Sequence, residues 1–256
     1  MKQIVQKILG KFGYTLRRIS TLQGGSPGSH TRPIGEFALF LEDLRARGFV
    51  PRGIIDIGAN RGEWTKMALS VFPKTPVLMI EPQDQMEPIL SQMLKEHPYC
   101  KYVKAGAGRE QGELVLTLGD GAGEGSSFLP VASDELQKAG KQRKTPIITV
   151  ENLLAQKFPD FEPDLVKLDI QGFELEALSG AEALFGKTEV FILEAGLIRF
   201  MPNQPIVREV ISFMAARDYE LYDIPGSCRR PYDGALGSAD LAFVKAHGMF
   251  RKTLDW

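Results

Sequence analysis

Short, nearly continuous apolar runs recur along the chain, separated by stretches whose apolar positions repeat at helical spacing. Residues 53–57, 77–81, 165–169 and 189–194 are rich in Ile, Val and Leu and leave little room for a polar face. That is the pattern of strands buried on both sides. Residues 99–104 read as a further strand, and 62–71, 84–96, 174–184 and 205–217 read as the helices between. Such alternation predicts an α/β architecture, a mostly parallel sheet covered on both faces. The last two runs, 219–224 and 240–245, have no helix between them and predict an antiparallel hairpin at the sheet's edge, around a Gly/Pro/Arg-rich loop.

The middle of the chain is less regular. Residues 113–118 read as a strand within a hairpin, 120–127 as a glycine-rich loop, 136–145 as a polar, mobile stretch, 146–150 as extended and 151–157 as a short helix. Near the start, 33–47 reads as a helix with Phe37, Phe40, Leu41 and Leu44 on one face, ended by Gly48. Before it lies a Gly/Ser/Pro loop, 23–32, that carries His30. There is no sign of an internal repeat. The expected organisation is an N-terminal amphipathic and helical extension, 1–52, followed by one domain, 53–256.

Residues 1–19 change this picture locally. Ile4, Val5, Ile8, Leu9 and Phe12 recur at helical spacing among Lys2, Lys7, Lys11, Arg17 and Arg18, and no acid precedes Glu36. A helix packed on the domain's own surface accounts for this; peripheral contact with an anionic membrane face or a partner is the alternative. Over the whole chain of 256 residues the net charge is -1, which supplies no global field for nucleic acid. Cys100 and Cys228 form neither a disulfide framework nor a metal spacing. With no bilayer-length apolar run and no convincing signal peptide, a cytoplasmic protein is expected.

Candidate chemistry gathers at strand ends. In open α/β sheets ligands bind at the carboxyl ends of strands, near the point where strand order reverses. Asp56, Glu81, Asp169 and Glu194 stand there, with Lys104 and residues 105–108. Each acid could serve as a helix cap instead. Asp56-Ile57-Gly58-Ala59-Asn60-Arg61-Gly62 provides a tight turn into a helix, but it is not the Gly-x-Gly-x-x-Gly dinucleotide fingerprint. An acid at the head of that turn would repel a pyrophosphate and suit a cationic ligand such as an amino-acid ammonium. Glu81, ending the next strand, is placed to accept hydrogen bonds from a ribose diol. Lys167, between Val166 and Leu168, is expected to be partly buried against a carboxylate.

These residues resemble the FkbM family of S-adenosylmethionine-dependent methyltransferases. The resemblance is carried by Ile55-Asp56-Ile57-Gly58-Ala59-Asn60 with Gly62, Ile80-Glu81-Pro82, residues 105–108 with Gly112, Ser126-Ser127, and Lys167-Leu168-Asp169-Ile170-Gln171-Gly172-Phe173-Glu174 with Gly180-Ala181. It runs from about residue 53 to about 245. It implies a class I, Rossmann-like methyltransferase fold with a seven-stranded sheet and an antiparallel C-terminal hairpin. It also implies S-adenosyl-L-methionine as cofactor and O-methylation of a hydroxyl on a sugar, glycolipid or natural product.

By that resemblance Asp56, Gly58, Ala59, Asn60 and Gly62 line the methionine and ribose side, and Glu81 holds the ribose hydroxyls. Gly106 and Ala107 flank the adenine, Ser126 or Ser127 closes over it, and Asp169 stands beside the transferring methyl. The family often carries Glu where this chain has Gln171, so no proton transfer is assigned to that position. Asp169 and then Glu194 are the candidate bases, ahead of Asp240 and Glu174, with His30 and His247 as outsiders. No His/Cys cluster is present and no metal ligand is assigned, although Asp169 with Glu194 could hold a cation. Arg199 and the Arg229-Arg230 pair sit on loops expected to meet a small-molecule or glycan acceptor. A nicotinamide-dependent oxidoreductase and a non-catalytic membrane- or partner-binding member are the alternative readings.

Overall fold

The computed structural model describes residues 32–119, 123–131 and 133–253. The expected basic helix within 1–19 and His30 lie outside the described residues. The chain forms a seven-stranded sheet in the order β3-β2-β1-β7-β8-β10-β9. Its parallel strands are β1 (Ile54–Ile57), β2 (Val77–Ile80), β3 (Cys100–Val103), β7 (Leu165–Leu168) and β8 (Val190–Gly196). β9 (Tyr219–Arg229) and β10 (Leu236–Lys245) form the antiparallel hairpin. The later strand, β10, is the inner one and pairs with β8, leaving β9 at the edge. Every residue of β1, β2 and β7 is buried, as the continuous apolar runs require.

Strand pleating sends alternate side chains to opposite faces. On one face Ile54, Met79, Leu165 and Ile192 pack under α1 (Phe37–Ala46), α2 (Glu63–Val71) and α3 (Glu87–Glu96). α1, on the N-terminal side of residue 52, contributes the fully buried Phe40, Leu41 and Leu44 to this core. On the other face Ile55, Ile57, Val166, Leu168, Phe191 and Leu193 pack under helices from the second half of the chain. These are α5 (Val150–Lys157), α6 (Glu174–Ser179) and α7 (Val207–Ala215).

The middle of the chain departs from expectation. Instead of a mobile stretch, 136–145 contains most of a short helix, α4 (Asp134–Lys138), and much of β6 (Gln142–Ile148). β6 pairs with β4 (Gly106–Ala107) on one side and with β5 (Gly112–Thr117) on the other. A strand with neighbours on both sides is held by its backbone ladder, so Gln142, Arg143 and Lys144 need supply no apolar pattern. Beneath this small sheet, Leu116, Phe128, Leu129, Ile147 and Phe173 form a separate apolar cluster. The hairpin expected around 113–118 is thus a pairing across a long connection. Asp240, expected at the opening of the last strand, lies in its middle opposite Glu194.

Candidate functional site

Strand order reverses between β1 and β7, and the turns after them touch. Gly58 N–H donates to the Ile80 carbonyl at 2.8 Å and Asp169 N–H to the Ile57 carbonyl at 3.0 Å. Gly58 has φ +81°, and a Cβ there would lie 2.1 Å from the Asp169 carbonyl oxygen. No other residue fits without displacing backbone.

A cleft opens over these turns. Its walls are Gly58 and Asn60 from the β1 turn, Ile80, Glu81 and Gln83 from β2, Ala105 to Ala107, Leu116 and Phe128 from the small sheet, and Asp169 to Gln171 from β7. It holds about 630 Å³ of free space, part of it open to solvent. Glu81, 2% exposed, accepts from Asn60 N–H and from Gln83 N–H, both at 2.9 Å, one on each carboxylate oxygen. Burial pushes its carboxyl upward against those two hydrogen bonds. Gly106 brings bare backbone to the wall, since a Cβ there would stand 2.5 Å from the Phe128 ring. Ser126 Oγ accepts from Gly119 N–H at 3.0 Å and lies 3.1 Å from Gln83 Oε1, tying the glycine-rich loop to β2.

The predicted site residues divide. Gly58, Asn60, Glu81, Gly106, Ala107, Ser126 and Asp169 line the cleft. Asp56, Ala59 and Gly62 do not. Asp56 is fully buried on the opposite side of the pleat, facing its register partner Lys167 on β7. Its Oδ2 accepts from Thr65 Oγ1 at 2.6 Å, and its Oδ1 is 3.8 Å from Lys167 Nζ. An acid expected to meet a ligand's ammonium therefore meets the protein's own. Gly62 packs under Met93 and Leu90, behind the turn. Ser127 also turns away, donating to the Gln171 carbonyl at 2.8 Å.

Lys167 joins this buried pair to the cleft. Its Nζ is 3.2 Å from Asp169 Oδ2 and 5.9 Å from the centre of the Trp64 ring. Burial works against the ammonium, but Asp169 and Asp56 more than offset it and hold it above its usual range. Burial likewise pushes the Asp169 carboxyl up, yet Lys167 and Gln171 outweigh it and hold the group below the usual carboxylate range. The Asp169 side chain keeps 36% of its surface accessible.

Beyond Asp169, Gln171 forms a bridge. It sits at φ +55°, and its Nε2 donates to Asp169 Oδ1 at 3.0 Å and to Glu194 Oε2 at 2.8 Å. Glu174 accepts from the backbone N–H of Ile170 (2.9 Å) and Gly172 (3.1 Å), fixing the loop that carries the bridge. Burial, then the charges of Asp169 and Glu174, push the Glu194 carboxyl up to about 8. Burial pushes Glu174 up to about 7, and burial with Asp169 pushes Asp240 up to about 6. Asp169 is thus held toward its ionised form and Glu194 toward its protonated form, two carboxyls joined through one amide.

This arrangement sets a pH dependence of stability. Glu194, Glu174 and Asp240 bind protons more tightly in the folded chain than in the unfolded one, so between about pH 4.5 and 8 the native state carries the extra protons. Stability must then fall as pH rises through that window. Thermal unfolding from pH 5 to 9 should show a declining midpoint, flattened in Glu194→Gln; a midpoint that rises across pH 6–8 would contradict the assignment.

Gln171 as a bridge and Gln83, Phe128 and Leu116 as walls went unassigned in the sequence. The one available signal was the Gln at a position often acidic in the family it resembles. Among the described residues, no group of three or more His, Cys, Asp or Glu is arranged to hold a metal ion. Among the described residues, no helix is long and apolar enough to cross a membrane.

Comparison with known proteins gives the following. The sequence pattern described as the Methyltransferase FkbM domain matches residues 56–221. Methyltransferase sdnD of Sordaria araneosa is 26% identical over 155 residues, 50% of this chain and 60% of that protein. The chain thus spans less than two thirds of that relative's length. Among solved structures, the O-methyltransferase TomG from Streptomyces achromogenes, in complex with SAM, superposes with TM-score 0.47 and 14% identity over 81% of this chain and 79% of its own. Precorrin-6y C5,15-methyltransferase from Geobacter metallireducens gives TM-score 0.43 and 14% identity over 81% and 85%. The strand order and the antiparallel hairpin are those of a class I methyltransferase sheet. With the domain match running from the β1 turn into β9, well over half of its length, the chain belongs to the FkbM methyltransferase family.

Proposed function

We propose that the protein transfers a methyl group from S-adenosylmethionine to a hydroxyl oxygen of a sugar, a glycolipid or a natural product. One observation carries this reading: a single cleft is lined by a preset carboxylate, Glu81, and by Asp169 and Gln171, through which it is tied to Glu194. The residues fit the cofactor. Each Glu81 oxygen retains acceptor capacity after its backbone hydrogen bond, which suits the two ribose hydroxyls. Gly106 and Ala107, with Phe128 and Leu116, give the cleft an apolar wall that suits adenine. Gly58 and Asn60 would line the methionine side, with Asp169 beside the methyl. Asp56, Ala59 and Gly62 would support the turn from behind.

When bound, S-adenosylmethionine supplies a methyl group already activated on a positively charged sulfur. The chain's own work is alignment and proton handling. The ionised Asp169 favours positive charge at its end of the cleft. The Asp169/Glu194 pair accepts the proton that the hydroxyl gives up. Gln171 keeps both carboxyls in place as that proton arrives, because an amide NH2 donates to either one whatever the pair's charge.

A nicotinamide cofactor fits less well, since Asp169 beside the β1 turn opposes a pyrophosphate there. Calorimetric titration separates the two. S-adenosylmethionine is expected to bind and NAD is not; preference for NAD, or binding of neither, would sink the proposal.

A further inference from the structure

A second, smaller pocket adjoins the cleft and shares Gln171 with it. We infer that this pocket, lined by Gln171, Glu194, Gly196, Phe200, Gln204 and Ser238, seats the methyl acceptor, and that the acceptor presents an uncharged hydroxylated ring to it. The inference rests on the methyltransferase reading and adds where the acceptor lies and which chemistry it has.

Position is the first argument. The wall between the two spaces is one side chain deep, because Gln171 Nε2 touches Asp169 on the cleft side and Glu194 on the pocket side. A hydroxyl held at the pocket's boundary with the cleft would lie beside the carboxyl pair that can take its proton. Size is the second. The pocket is small, a cavity of about 90 Å³, room for one edge of a ring and not for a larger group.

Charge is the third argument. Glu174 and Glu194 line the pocket, with Ser238 and the amides of Gln171 and Gln204. These are partners for hydroxyl groups. Among the described residues no lysine or arginine lines it. Arg199 and Arg230, on the neighbouring loops, are paired with Glu209 at 3.3 Å and Asp233 at 3.1 Å. Lys167 is committed to Asp169 and Asp56. A carboxylate or phosphate on the reacting ring would find no cation in the pocket and would oppose ionisation of Glu174 and Glu194, which costs affinity and selects neutral ligands.

The fourth argument is Phe200, an aromatic ring 53% exposed at the pocket's edge. Exposure usually goes with mobility, but here the backbone is fixed. The side-chain oxygen of Gln204, Oε1, accepts from Phe200 N–H at 2.9 Å and from Met201 N–H at 3.2 Å, and Gln204 is itself buried. A flat apolar face held beside hydrogen-bonding groups suits a ring with one apolar face and hydroxyls at its rim.

The test uses the full chain, methyl-labelled S-adenosylmethionine and an extract of the source organism. The labelled product is isolated and its methylated ring identified by fragmentation mass spectrometry. The ring is expected to carry no carboxylate or phosphate. At limiting extract, Phe200→Ala and Ser238→Leu should label at least about tenfold more slowly, while calorimetric affinity for S-adenosylmethionine stays within about twofold, which also reports correct folding. Phe200→Tyr should retain the wild-type rate. An anionic methylated ring, wild-type labelling by Phe200→Ala, or cofactor binding with no transfer to the extract would each overturn the inference. Failure of the wild-type chain to bind the cofactor would instead overturn the methyltransferase reading beneath it.

Discussion

Glu194→Gln should lower the rate of methyl transfer by about two to four orders of magnitude, the span of a positioned base, and leave cofactor affinity within about twofold. Glutamine keeps the shape and the contact with Gln171 but cannot accept a proton. The pH profile gives the sign. Without a ligand, the Glu194 carboxyl holds its proton up to about pH 8. Its capacity to accept one therefore grows roughly tenfold per pH unit on the way to 8 and then levels. A cation within about 4–6 Å loosens a carboxyl proton by about one to three pKa units, so with a sulfonium bound the rise should level at lower pH. On the proposed reaction Glu194 should therefore release a proton when the cofactor binds and take one up as the positive charge is consumed. Calorimetry at pH 7 in buffers of different ionisation enthalpy should show proton release with S-adenosylmethionine, none with neutral S-adenosylhomocysteine, and none with either in Glu194→Gln. If the variant keeps more than a tenth of wild-type turnover, Asp169 alone is the base.

The second large effect is expected at Glu81. Glu81→Ala should weaken S-adenosylmethionine binding about ten- to a hundredfold, the loss of one or two charge-assisted hydrogen bonds. It should also lower stability, because Asn60 N–H and Gln83 N–H lose their acceptor in a buried place; about 1–3 kcal/mol each is the usual cost. Glu81→Gln separates the two effects, since its carbonyl oxygen can still accept from one of them. Denaturant unfolding beside calorimetric titration checks both. Unchanged affinity in Glu81→Ala would take the ribose role away from it.

The parts of the fold legible in the sequence were those fixed by burial. Ile54–Ile57, Val77–Ile80 and Leu165–Leu168 are buried throughout, and a run with no polar face has few other places to go. Glu81 and Asp169 were legible for the same reason, standing directly after β2 and β7, whereas Glu194 lies inside β8, which runs on to Gly196. β6 was not legible. Its residues are held by ladders to β4 and β5, and main-chain hydrogen bonds leave no trace in side-chain pattern.

Asp56 shows a different limit. The sequence placed it beside the turn correctly, but the pleat decides which face a side chain takes, and one residue separates cleft from core. Its partnership with Lys167 depends on the register of β1 against β7, a relation between segments more than a hundred residues apart. Gln171 shows a third limit. Its importance lies in touching two acids that reach it from separate strands, so its role appears only when Asp169 and Glu194 are brought together.

The position of β10 between β8 and β9 also bears on how the protein is made. On a ribosome β8 emerges before β10, so its outer edge stays bare until β9 and β10 have been synthesised. An uncovered strand edge invites pairing with other chains. Asp240 and Ser238 arrive on that same late strand, opposite Glu194 and Gly196. The nascent protein therefore brings Asp240 and Ser238 to Glu194 in the same step that seals its sheet, and a chain stopped short of β10 should be prone to self-association.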